Sequence, residues 1–194
     1  VLYESGGRVL QKLIVGWQAS ARANSYRVRY RLGNNNFVTA TTTNTGFEIQ
    51  NSDVGTYEVE VYALGYGLQQ TKQSQRASVT FVAVGKTAPP ANIASLNITP
   101  IDQHNAELHW PQSTDLDVRV GGTVEIRHTP HTDANATWGR SQKIVPAVNG
   151  SSTRKIVPLK SGTFFIRAQD SLGNYAPPAG IPSVVVDLPE PQDL

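Results

Sequence analysis

Apolar side chains in this chain recur at every second position. Tyr26, Val28, Tyr30 and Leu32 alternate with Arg27, Arg29 and Arg31. Tyr57, Val59 and Val61 alternate with Glu58, Glu60 and Tyr62, and Val124 and Ile126 with Glu125 and Arg127. Phe164, Ile166 and Ala168 alternate with Phe165, Arg167 and Gln169. Successive side chains of a strand point to opposite faces, so this pattern predicts half-buried strands. No stretch of about ten residues carries the 3.6-residue period of a helix. Turn-forming clusters (Gly33–Asn36, Asn51–Asp53, Gly121-Gly122, Asn149-Gly150) separate the runs. The expected fold class is all-β, with antiparallel strands packed as sandwiches.

The strand pattern also repeats. Leu13–Trp17 matches Ala106–Trp110, each an apolar run closed by Trp, and Gly55–Ala63 matches Gly162–Ala168. Trp17 and Tyr57 are 40 residues apart, Trp110 and Phe164 are 54 apart, so the second copy holds an insertion of 14 residues. The polar stretch His128–Lys143 is where it fits. Between the copies, Ser78–Val84 reads as a last strand and Gly85–Ala91 as a connector, because Pro89 and Pro90 remove two backbone donors. The expected modules are 1–86 and 87–189. Pro189 and Pro191 mark 190–194 as the start of a further linker, and the absence of Met predicts a processed chain or a fragment of a longer one.

Composition narrows the chemistry. A formal net charge of +2 over 194 residues offers no electrostatic case for nucleic acid or an anionic membrane. Without Cys the chain has no disulfide, thiolate zinc site, iron–sulfur cluster or cysteine nucleophile. No apolar run approaches the ~18–20 residues that span a bilayer as a helix, so membrane insertion is not expected. The N-terminal residues have no basic flank or apolar core of a signal peptide. No Gly-x-Ser-x-Gly elbow, phosphate-binding glycine loop or His-Glu-x-x-His is present. The expectation is a non-enzyme with no cofactor.

A Trp closing the second strand and the aromatic-x-Val-x-Val-x-Ala strand Tyr57–Ala63 resemble the fibronectin type III fold. The resemblance covers both halves. It implies two tandem immunoglobulin-like sandwiches, each of a three- and a four-stranded sheet, with the Trp in the core. A narrower resemblance rests on Gly85-Lys-Thr-Ala-Pro-Pro90, Asp115-Leu-Asp-Val-Arg119 with Val124–Arg127, Ala136-Thr-Trp138, and Gly162–Tyr175. Their order and spacing resemble the J-type host-specificity proteins of long-tailed bacteriophage tail tips. That resemblance implies a spacer in a virion structural protein, placed between hub and receptor-binding parts. It implies other tail-tip proteins or neighbouring domains as partners, with a host cell-surface receptor further along, and a homotrimeric parent. The alternative is a non-catalytic adhesion or carbohydrate-binding module of a bacterial secreted or cell-surface protein. A third is a module that itself docks to a cell-surface protein.

Several residues carry two readings. His128 and His131 could seed a metal site, or be solvated loop histidines; Pro130 between them disfavours the helix that would join them. Asp115 and Asp117 could share a face and hold Ca²⁺, but this loop lacks the 6–8 oxygens required, which leaves a polar loop. Asp170–Asn174 reads as a turn with Gly173 at positive φ. His109 should face away from the core side of Trp110. Arg27, Arg29 and Arg31 are expected opposite Glu58 and Glu60 across two neighbouring strands, and Glu125 opposite Arg167. Trp138 is either a partner-binding residue or a cap on the outward aromatic Phe165. Tyr62, Tyr66 and Phe37 are either a carbohydrate platform or packing on a sheet face.

Overall fold

Alternation becomes strands almost wherever it occurs. The computed structural model describes residues 1–65 and 76–189, so Tyr66 and the tail 190–194 lie outside the described residues. The chain divides into two compact units, Val1–Ser5 with Leu10–Gly85, and Gly6–Val9 with Lys86–Leu194. An N-terminal hairpin pairs β1 (Leu2–Ser5) with β2 (Arg8–Gln11). Gly6 and Gly7 at its tip have φ of 60° and 73°, the left-handed pair that a two-residue type I′ turn needs.

In the first unit β3 (Leu13–Gly16) pairs antiparallel with β6 (Gly46–Ile49). The facing sheet runs β5 (Val38–Thr42), β4 (Ser25–Leu32), β7 (Gly55–Leu64), β8 (Ala77–Ala83), every pair antiparallel. Leu13 and Ile49 from one sheet meet Val28, Tyr57, Val59 and Val61 from the other in one core. Tyr57 also accepts a hydrogen bond at its Oη from the Asp53 N–H, 3.0 Å away. That ties the start of β7 to the preceding corner, as the buried tyrosine of many sandwiches does. Burial pushes the Tyr57 hydroxyl pKa up, the Asp53 amide working against it. The smaller sheet departs from expectation: among the described residues β3 pairs with β6 alone, making two strands instead of three.

The second unit has the expected three-stranded sheet, β9 (Asn97–Pro100), β10 (Asn105–His109) and β14 (Arg154–Pro158) in the order β14-β10-β9. Against it lies β11 (Thr123–Thr129), flanked by β15 (Gly162–Gln169) on one side. The short β12 (Gln142–Lys143) and β13 (Val148–Asn149) share its other side, and β16 (Ser183–Val186) completes the edge beyond β15. Leu108, Trp110, Val124, Ile126, Val157, Phe164 and Ile166 form its core. Each such side chain contributes about 1.5–3 kcal/mol by burial.

Gly55 and Gly162, the glycines that open the repeated strand, both have positive φ, 137° and 126°. A Cβ at Gly162 would lie 2.1 Å from the Thr129 carbonyl oxygen, so the close approach of strand and corner requires glycine. The tryptophans differ. Trp110 is 4% exposed and its Nε1 donates to the Ser152 carbonyl at 2.7 Å. Trp17 only partly enters its core, edge-on to Tyr26 with ring centroids 5.3 Å apart.

Candidate interaction faces

The outward residues of the larger sheet in each unit gather charge around one aromatic. In the first unit the register sets Arg29 opposite Glu60 and Arg31 opposite Glu58. Both pairs close, at 3.3 Å and 2.5 Å. Arg27 instead faces Tyr62, since three arginines alternate along β4 where β7 offers only two glutamates. Glu60 is buried at 3% exposure. Arg76 lies 2.7 Å from it and the Tyr62 hydroxyl donates to it at 2.9 Å. A buried carboxylate requires such multiple partners to offset its lost hydration. The guanidinium groups of Arg29 and Arg31 lie 4.3 Å and 4.6 Å from the centre of the Phe37 ring, a cation–π arrangement.

The second face is built alike from different residues. Glu125 does stand opposite Arg167 in register, but the expected ion pair is not the one formed. The Glu125 carboxylate is 2.6 Å from Arg127 Nε and 3.9 Å from Lys143, and accepts the Tyr175 hydroxyl at 2.6 Å. Arg167 donates through Nε to the Ala176 carbonyl at 2.7 Å and lies 5.0 Å from the Tyr175 ring. The insertion decides this. It carries Trp138 on a short 3₁₀ turn, Trp138–Arg140, back over the sheet. There the Arg127 and Arg167 guanidinium groups lie 4.4 Å and 5.7 Å from its ring. Trp138 stands edge-on to Phe165, centroids 6.5 Å apart at 87°. Phe165, expected outward, does point outward but is only 6% exposed.

Burial pushes the Glu125 carboxyl pKa up, but the bonds from Tyr175 and Arg127 and the charges of Arg127 and Lys143 outweigh it, so the net shift is downward. The Tyr175 hydroxyl is raised, first by its bond to Glu125 and then by burial.

Other expectations are corrected by the local backbone. His128 is not a loop residue: it belongs to β11, packs on Phe164 at 4.6 Å between ring centroids, and its Nε2 lies 3.0 Å from the Ser161 carbonyl oxygen. Burial holds its pKa below the ordinary histidine value. His131 lies exposed past the strand end. Asp115 and Asp117 flank and enter a single helical turn, α1 (Leu116–Arg119), rather than an extended segment. Asp115 accepts the Ala91 N–H at 2.6 Å, while Asp117 is buried. Burial first, then the charge of Asp170, raises the Asp117 pKa. Among the described residues no three His, Asp or Glu gather as a metal site. The Asp170–Asn174 turn forms as read, Asp170 Oδ1 accepting from the amides of Leu172 and Asn174 with Gly173 at φ 92°. His109 faces outward beside Glu107 at 3.3 Å.

Tyr62, read either as part of a carbohydrate platform or as packing on a sheet face, is 1% exposed and offers no stacking surface. Sequence reasoning did not single out Tyr175 or Arg76. Neither has a local periodic signal, and each meets its carboxylate only through tertiary packing.

Strand order and register settle the architecture: β3-β6 faces β5-β4-β7-β8 in the first unit, and β14-β10-β9 faces β12-β11-β15-β16 in the second, the same antiparallel order with β9 added. Each unit is a fibronectin type III-like β-sandwich. No family model matches the sequence, and no curated protein matches it. Solved structures that resemble it include the FN1–FN3 domains of chicken CNTN1, 17% identical, covering 90% of this chain and 62% of that one, TM-score 0.39. A two-domain fibronectin type III segment of chicken tenascin is 16% identical over 96% of this chain and 98% of that one, TM-score 0.40. A cytokine receptor complex is 12% identical, covering 90% of each chain, TM-score 0.39. No helix among the described residues is long and apolar enough to cross a membrane.

Proposed function

We propose that the chain is a non-catalytic spacer of two modules, 1–86 and 87–189, in a larger structural protein. One observation carries the choice of spacer over glycan binder. Among the described residues, the candidate aromatics that could stack on a sugar are engaged within the fold, Phe37 by Arg29 and Arg31, Trp138 by Arg127, Arg167 and Phe165, and Tyr62 by burial. Such stacks stiffen a sheet face and leave few faces for a ligand. In this reading Trp138, Phe165, Phe37 and Tyr62 hold the sheet faces in shape for neighbouring domains.

The order of motifs along residues 85–175 supports a finer reading, a bacteriophage tail-tip host-specificity protein, trimeric in its parent, whose modules separate hub from receptor-binding parts. Antibody raised against the chain should decorate the tail tip of purified phage particles from the producing strain. Decoration of the bacterial surface instead supports the adhesion reading. On a glycan array the chain should bind no glycan; binding that Trp138→Ala abolishes would overturn the spacer reading.

A further inference from the structure

β5 is one edge of the larger sheet in the first unit, and among the described residues it pairs with β4 alone. The ladder fixes which of its groups look off the sheet. The Gly33 N–H donates to the Thr56 carbonyl in β7 at 2.8 Å. Alternation then turns the N–H and C=O groups of Arg27, Arg29 and Arg31 to β7, and those of Tyr26, Val28 and Tyr30 to β5. Their partners on β5 are Thr42, Ala40 and Val38. The N–H and C=O groups of Thr39 and Thr41 therefore point off the edge.

Edge strands that stay unpaired usually carry charge, Pro or a bulge. β5 has none of these. Its register with β4 runs unbroken from Tyr26–Thr42 to Tyr30–Val38, and no residue from Phe37 to Phe47 is charged or Pro. Val38, Thr39 and Thr41 are exposed. The second unit guards the same edge. There the position beside β11 is split into β12 and β13, with Lys143 on the first and Pro146 between them. The two units share a sheet order, so the bare, continuous edge belongs to the sequence of the first and not to the fold.

We propose that β5 pairs antiparallel with β5 of a second copy of the chain, about a two-fold axis at Ala40. In this register Thr39 of each copy faces Thr41 of the other, and the outward N–H and C=O groups of both are satisfied. Thr–Thr pairs across strands are favourable. Ala40 meets Ala40 as a non-hydrogen-bonded pair, where Cα atoms approach to about 4.5 Å and a small side chain fits. The strip is neutral on both sides, so no like charges meet. Arg27 of one copy and Arg29 of the other stand three strand spacings apart, about 14 Å, beyond the Debye length of about 8 Å at physiological salt. The edge is only about 17 Å long, so the contact is small and the association weak. The pairing does not depend on the spacer reading. In a trimeric parent, whose three-fold axis supplies no two-fold, it joins copies from separate assemblies.

Sedimentation equilibrium and amide exchange followed by NMR on the full chain test this. Dimers should form at about 1 mM protein, and the Thr39 and Thr41 amides should exchange at least about threefold more slowly than at about 0.02 mM, as a weak interface requires. The Ala40 amide, already bonded within the sheet, should change less. Thr41→Pro removes an N–H that only the pairing uses, and should abolish dimers while circular dichroism stays native. A Thr39→Glu/Thr41→Glu chain sets carboxylates against each other across the axis and should stay monomeric alone, yet associate with a Thr39→Lys/Thr41→Lys chain. A parent chain that remains monomeric at the higher concentration, or dimers that leave Thr39 and Thr41 unprotected, would overturn the proposal. So would undiminished self-association of the Thr41→Pro and Glu chains. Protection of the two amides at the lower concentration in a longer form of the polypeptide would overturn it too, since another segment would then hold the edge.

Discussion

Trp138 shows how one residue can organise a surface. It meets two guanidinium groups on its ring and the edge-on ring of Phe165 beneath. Trp138→Ala should lower the stability of the second module by about 2 kcal/mol, summing aromatic and cation–π contributions of roughly 0.5–1.5 and 0.5–1 kcal/mol each. Trp138→Phe should recover most of the loss, as denaturant melts would show. Glu125 and Asp117 act in opposite senses with pH. The folded pKa of Glu125 is depressed, so its contribution is present above its unfolded pKa and is lost as pH falls through the folded value. The folded pKa of Asp117 is raised, so the folded state holds its proton more tightly. Stability then falls as pH rises from the unfolded value through the folded one. Asp117→Asn should therefore match or exceed the parent in stability near neutral pH, and lose that advantage below the ordinary aspartate range. Glu125→Gln should flatten the acid limb of the stability profile. Denaturant midpoints measured across pH test both.

At the scale of elements, register decides which charges meet. β4 against β7 sets Arg29 on Glu60, whose burial makes the pair costly to break from one side. Arg29→Glu should destabilise the first module by several kcal/mol, about 3 if Glu60 is left beside a like charge. The same change at exposed Arg22 should cost well under 1 kcal/mol, the usual size of surface substitutions. Equal losses at the two sites, measured in urea, would show that the cross-strand pair contributes nothing. β11 against β15 gives the complementary lesson. Opposite register placed Glu125 and Arg167 together, yet Arg127, two residues along the same strand, captures the carboxylate while Arg167 turns to Ala176 and Tyr175.

For the molecule as a whole, each unit has its own core cluster, drawn from both of its sheets. If 1–86 and 87–189 are independent modules, fragment 87–189 should unfold cooperatively on its own. Trp138→Ala should then shift its transition in the full chain while leaving that of 1–86 in place. Calorimetry of the fragment and of both full-length proteins checks this. A fragment without a cooperative transition would show that the second unit requires the first.

The period-two runs determined the strands, and with them the fold class, because which face of a strand is apolar is a local property. They also fixed the face of His109, and turn chemistry fixed the Asp170–Asn174 corner. Much else was decided by tertiary structure. Whether an outward residue remains exposed depends on what folds over the sheet, so Tyr62, Glu60 and Phe165 read as surface positions and are buried. Asp115 and Asp117 have the i, i+2 spacing of a strand but lie in and beside one helical turn, where the Ala91 amide meets Asp115. Whether the third strand of the smaller sheet is present could not be read from the Trp motif, which is the same in both copies. In the second copy it is β9, folded back onto β10 by the turn 101–104, whereas in the first the residues before β3 pair with each other as the β1–β2 hairpin; which pairing wins is decided by packing, not by the local pattern.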